Sequence, residues 1–328
     1  MMNYEDFVSE FEKALEAEMP GLTLRRQMVN KVNGPRDSIA VMFSNPGFAP
    51  LVYLDDMYEG YQAGMSVEEC AISASEAVYR AKAETPDYAP STFSDPEHRL
   101  FASVICKKNN EELLAITPHQ DIIGTDLSLV ARYRVDDNSS FLVNNSNFSF
   151  LGMKDADAVM ALAIENTSRE QFYSQHIGQV LSDLIEIAKN GEDADIVACM
   201  EEDAKKFGVL HVVNNANGND GAVILGYPEI IKKMVAQTGE EQAFILPISR
   251  MDPFILPASV GKLMGVEEMK AIVHEVNEAV LRPDEILSDS IYFWNGSSLS
   301  MAEDMKRDMT NSFARSAEMG LQGPPLTR

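Results

Sequence analysis

Asp55, Asp56 and Glu59 follow directly on the apolar run LVYL. Acids at the carboxyl end of a strand often face a cleft, where they can hold a divalent cation for hydrolysis. Farther along, ITPHQD sets His119 beside Asp121, a pair able to pass a proton. Asp55, Asp56, Glu59 and His119 are therefore the candidates for a metal-dependent hydrolase. A second reading needs no ligand. If a helix starts at Asp55, Asp55 and Glu59 lie one turn apart, and their charges offset the positive helix end. Met57, Tyr58 and Tyr61 then supply the buried side. The helix start accounts for every residue, while a metal needs a further acid from elsewhere. The helix start is preferred, no catalytic or cofactor-binding residue is assigned, and no cofactor is expected. Convergence of Asp55, His119 and Asp252 on one concave pocket would reverse that preference.

Other chemistries lack their residues. There is no GxxxxGK[ST], no GxGxxG between strand and helix, and no GxSxG. NANGNDGA reads as a hairpin turn. Taken as a calcium loop from Asn215, it has Asp220 at the glycine place and Gly226 at the glutamate place. His98, His119, His176, His211 and His274 are scattered, without the spacing of zinc ligands. Cys70, Cys106 and Cys199 stand far apart and read as small core residues of a reducing compartment. Lysines follow Cys106, but a buried strand end explains it more simply.

The chain has 328 residues, with 27 Lys+Arg against 51 Asp+Glu, a formal net charge of −24. Such a field repels phosphates and argues against nucleic-acid binding. The acids are dispersed, which suits a solvated surface; mimicry of nucleic acid, or docking on a basic partner, is the sharper alternative. MMNYEDFVSE is acidic where a signal peptide is basic, and no apolar run approaches the roughly 18 residues of a membrane span. A cytoplasmic location without membrane contact is the expectation.

The elements that must position these residues follow from periodicity. Tyr4, Phe7, Val8, Phe11 and Leu15 mark one helix face. LTLRRQMV and DSIAVMF read as strands around NGPRD, and APLVYL as a third. Ser66 and Glu69 open a helix whose buried stripe is Cys70, Ala74, Ala77, Val78 and Ala81. RLFASVIC reads as a strand or a short helix, and NNEELLAI as a short helix. TDLSLVARYRV and SSFLVNN form a hairpin, and DADAVMALAIEN is helical. Ser168 and Gln171 open a long helix through Ile185. VLHVVNN pairs with AVILGY, a helix starts at Pro228, AFILPIS pairs with PFILPAS, and a helix follows through Val280. SDSIYFWN is a last strand, and Ser300 caps a tail helix. The expectation is an α+β fold of largely antiparallel sheets with helices packed on them and a flexible C-terminal tail. Its parts are 1–84, a linker or long loop at 85–97, a main unit at 98–295 and the tail at 296–328.

LVYLDDMYEGYQAGMSVEECA, ITPHQDIIGTDLSLVARYRV, GAVILGYP, FILPAS and VNEAVLRPDEILSDSIYFWN occur in this order. With them the sequence resembles the bacterial family catalogued as domain of unknown function 5688, across residues 4–295. The resemblance implies a bacterial, single-family architecture and brings no activity, cofactor or catalytic residue with it. In the family pattern, paired serines and a histidine–glutamate step follow the leucine–proline stretch. Here Ala258, Gly261 and Lys262 stand at those places. The leading expectation is a non-catalytic protein that binds another protein.

Overall fold

The computed structural model describes residues 2–43, 49–84, 95–135, 140–145, 147, 151–153, 155–179, 182, 185, 208–216, 218, 220–279 and 281–303. The fold is α+β, with sheets of three, four and six strands whose named pairings are all antiparallel. It divides into two compact units. The first takes Met1–Arg99, Asn109–Ile116 and Asn144–Asp155; the second takes Leu100–Lys108, Thr117–Val143 and Ala156–Arg328.

In the first unit, α1 (Tyr4–Glu18) buries Phe7, Val8, Phe11 and Leu15 completely. Removing each such side chain from water contributes about 1.5–3 kcal/mol. Asn3 caps the helix, its side-chain oxygen accepting from the Asp6 amide at 3.0 Å. Strands β1 (Thr23–Lys31) and β2 (Gly34–Met42) turn through Val32 and Asn33, and the φ angles of Asn33 and Gly34, 69° and 133°, are ones that asparagine and glycine adopt readily. Strand β3 (Leu51–Tyr53) adds to β2 and runs straight into α2 (Leu54–Gln62), so the helix does begin beside Asp55. Helix α3 (Val67–Glu84) has the expected capping box: Glu69 N donates to Ser66 Oγ and Ser66 N to Glu69 Oε2. Its buried face is Cys70, Ala71, Ala74, Ser75 and Val78. Ala77 and Ala81, placed on that face from the sequence, are exposed, because the stripe that meets α1 is set by pairs one turn apart starting at Cys70 and Ala71. The helices α4 (Pro96–Arg99) and α5 (Glu111–Leu114) complete this unit.

The second unit holds two sheets. Strand β6 (Leu127–Arg134) pairs with β4 (Leu100–Cys106) along one edge, and with β5 (His119–Asp121) and then β7 (Ser140–Leu142) along the other. Strand β4 is buried at every position, packed by α6 (Ala156–Ser168) and by a buried 3₁₀ segment, Gly221–Gly226. The six-stranded sheet has the order β13 (Leu299–Met301), β12 (Tyr292–Trp294), β10 (Ala243–Leu246), β11 (Phe254–Pro257), β9 (His211–Asn215), β8 (Phe172–His176). Helices α7 (Pro228–Ala236), α8 (Ala258–Met264) and α9 (Val266–Ala279) follow in sequence, with Pro228 in the first turn as expected. Gly261 in α8 is demanded by packing: a Cβ there would come 2.2 Å from the Phe244 ring.

Three elements differ from the sequence reading. Residues 172–176 form strand β8, because five cross-strand partners on β9 outweigh the helical spacing of the apolar residues. Ser168 does not cap a new helix; it ends α6, its hydroxyl donating to Glu165 O at 2.6 Å. AVILGY is 3₁₀ helix and not a strand, since a short all-apolar run carries no period that separates the two. Ser300 lies in β13, not at a helix cap. Of the linker or long loop expected at 85–97, residues 85–94 lie outside the described residues, and Pro96 and Glu97 are the first turn of α4; Cys199 and the tail from 304 also lie outside the described residues.

Candidate functional site

The acidic cluster of the first unit is already occupied by an arginine. Arg36, on β2, donates from Nε to Asp55 Oδ2 at 2.9 Å and from Nη2 to Asp55 Oδ1 at 2.7 Å. The same Nη2 reaches Asp56 Oδ1. The guanidinium also lies over the Tyr53 ring, 4.0 Å from its centre. Burial works against the charge of Arg36, but the bonds to Asp55 and Asp56 outweigh it and hold the group above its ordinary range. A cation entering here meets a fixed positive charge. Glu59 is exposed one turn on.

His119 belongs to the second unit, exposed on β5, with Nδ1 2.9 Å from Thr117 O. Its sequence neighbour Asp121 accepts from Ser128 Oγ at 2.5 Å and lies 3.6 Å from Lys107. The Ser128 bond leads the causes that hold Asp121 below the usual carboxylate range, against the pull of burial. The four candidates are thus divided between the units. Among the described residues, no three His, Cys, Asp or Glu side chains are grouped as a metal ion requires.

Another carboxylate serves the frame. Asp126 accepts from Ser288 Oγ at 2.9 Å, from Ser290 Oγ at 3.0 Å and from the Tyr292 hydroxyl. It ties the turn before β6 to the approach of β12, and burial together with Asp126 pushes the Tyr292 phenol far up. The Cys106 thiol is buried 3.8 Å from the same carboxylate.

Asp252 has different surroundings. Tyr173 pairs with Asn214 and Gln175 with Val212 across β8 and β9, and partners in register put their side chains on one face. Asp252 precedes β11, whose Phe254 pairs with Val212. Tyr173, Gln175, Val212, Asn214, Ala216, Gly218 and Asp252 line a recess of about 320 Å³. Gly221 presses on the backbone next to these residues: a Cβ there would sit 2.3 Å from Val213 O and 2.4 Å from Met251 O. Only glycine lets the 3₁₀ segment press against both backbones.

Within the recess, Asn214 Nδ2 donates to Asp252 Oδ1 at 2.5 Å, while Asn214 Oδ1 accepts from the Asn215 amide at 2.8 Å. Asn215 Nδ2 in turn reaches Glu170 Oε2 at 3.1 Å. Ser249 Oγ accepts from the backbone amides of Met251 and Asp252, at 2.9 and 3.0 Å. Burial raises the Asp252 carboxyl above its ordinary range, although the Asn214 bond opposes this. A serine–histidine pair, Ser174 Oγ and His211 Nδ1 at 3.3 Å, stands on the opposite face of the same strands. The ring beside His211 is His176, 5.0 Å away. Burial, then His176, hold His211 below its ordinary range.

Sequence reading considered Asp252 but missed Tyr173, Gln175 and Asn214. The first two fell inside an expected helix. The available signal was FYSQH itself, five residues with an aromatic pair and polar alternates, of strand length.

A family model described as a family of unknown function, DUF5688, matches residues 4–296. No curated protein and no solved structure matches the chain.

Proposed function

The chain belongs to the DUF5688 family, whose description assigns no activity, and from its geometry we propose a non-catalytic binding protein whose partner is another protein. The observation that carries this reading is the recess on the face of β8 and β9. It presents an aromatic ring, amides and one carboxylate, and the serine–histidine pair lies on the other face. Tyr173 is 49% exposed beside it, and a rigid aromatic at a rim is a common anchor for a partner. Strand β8 ends the sheet among the described residues, so an extended segment has a strand to lie along. The net charge of −24 favours a basic partner. Among the described residues, no helix is long and apolar enough to cross a membrane.

The test is to pan a display library of random peptides against the full chain, then measure the enriched peptides by fluorescence anisotropy. Peptides that bind one to one and lose about tenfold in affinity with Tyr173→Ala support the reading, about 1.4 kcal/mol at one anchor. No enrichment, or binding indifferent to Tyr173→Ala, contradicts it.

A further inference from the structure

Asp252 offers the recess an incompletely matched charge. Its Oδ1 is taken by Asn214, and its Oδ2 has no partner among the described residues. Among the described residues, none of the side chains lining the recess is cationic. Arg250, two residues away, is directed to Asp220, at 3.7 Å. Asn214 cannot swing to satisfy the second oxygen, because its own carbonyl is held by the Asn215 amide. The carboxylate is therefore oriented before any ligand arrives, so little ordering is lost on binding.

We propose that the recess around Asp252 takes a cationic nitrogen group, a guanidinium or a primary ammonium on a short stem. This rests on the reading of the recess as the binding site and names the chemistry that enters it. An anion would be repelled. A neutral ligand would leave a partly desolvated carboxylate without a counter-charge, which is costly. A divalent metal prefers six or more oxygens, whereas the recess has one carboxylate and Asn214 is engaged through both its amide atoms. A guanidinium or ammonium needs one strong acceptor and an aromatic wall. Asp252 Oδ2 supplies the first, and the half-exposed Tyr173 ring supplies the second. Gln175, on the same face, can accept a further N–H through its side-chain carbonyl. A recess of about 320 Å³ has room for such a head and a few carbons of stem.

The same chemistry can come from a lysine or arginine side chain or from a free amine, and calorimetry on the full chain separates them. The probes are methylguanidinium, butylammonium and a peptide enriched from the display library, with N-methylacetamide as the neutral control. The cations are expected to bind one to one, at least tenfold more weakly to Asp252→Asn, and to lose affinity as pH falls through the raised Asp252 pKa. Should Asp252→Asn fold poorly, Gln175→Ala on the exposed edge and the wild-type pH profile carry the test. Both are expected to show the loss. Binding unchanged in Asp252→Asn, or N-methylacetamide binding as tightly as the cations, overturns the inference. Peptide binding insensitive to Asp252→Asn also overturns it, while leaving the protein-binding reading intact. Cations that bind where no peptide does uphold it and point to a free amine, and the protein-binding reading then falls.

Discussion

Asp55 with Asp56 in the first unit, and Asp252 in the second, show the same functional group put to opposite uses. The first two oxygens-bearing groups are shared around one guanidinium that also stacks on Tyr53, so their charge is answered within the chain. Asp252 lines a recess and, among the described residues, has one side-chain amide donor, at Oδ1, and no partner at Oδ2. Acidic residues close together in sequence signalled chemistry, yet their proximity is what allows one arginine to satisfy them. The isolated acid is the one left available. What distinguishes a site from a scaffold here is the missing counter-charge, and no count of carboxylates reports it.

The largest expected effect concerns the backbone next to the recess. Gly221→Ala places a methyl against two backbone oxygens that cannot rotate away. The expected cost is about 3 kcal/mol or more, read by urea unfolding. A variant as stable as the wild type would mean that the backbones at Val213 and Met251, which flank Val212, Asn214 and Asp252, are not rigidly held, and the contrast with the first unit would be weakened.

Asp126→Ala comes next. It strips Ser288, Ser290 and Tyr292 of a shared acceptor, and the buried Ser288 and Tyr292 hydroxyls, left unpaired, cost about 1–3 kcal/mol each. The expected outcome is a clear fall in Tm, with cation affinity unchanged. Loss of binding without loss of stability would make Asp126 part of a site.

Arg36→Met should cost less, about 1 kcal/mol or below, because the Asp55 and Asp56 side chains are 47% and 51% exposed and water can replace the guanidinium. Thermal unfolding with and without Mn²⁺ sharpens the comparison. The wild type should be indifferent to the ion, and any stabilisation should be confined to the variant, whose carboxylates are freed. A wild-type Tm that climbs with Mn²⁺ would restore the metal reading.

The smallest effect on stability is expected from Asp252→Asn. The folded-state pKa of Asp252 is raised, so the native chain holds this proton more tightly than the unfolded one. Stability from this group is therefore lost as pH rises from the ordinary carboxylate range through the raised value. Above that window the charged group is a net cost, and the asparagine variant should melt at the same temperature or higher. Below it the two should converge. Melting curves across pH check the sign, and a variant less stable at neutral pH would show that Asp252 is a structural carboxylate like Asp126.

Much of the frame was legible because burial repeats at a fixed interval. Phe7, Phe11 and Leu15 announce α1, Ser66 and Glu69 announce the start of α3, and the two FILP-containing runs announce β10 and β11. Strand β8 was not legible, because its partner β9 lies 35 residues or more away in sequence and only that pairing overrides the local helical spacing. Gly221 gave no sign either: its role depends on Val213 and Met251 arriving at the same place. The recess inherits both failures, since it exists only once β8, β9 and the loop before β11 are assembled.

The most direct measurement is an amide chemical-shift titration of the full chain with methylguanidinium. Saturable shifts at Gln175, Val212, Ala216 and Gly218, absent in Asp252→Asn, are the expected result. Shifts confined to α2 around Asp55, or spread evenly over the acidic surface, would contradict the assignment of cation binding to Asp252.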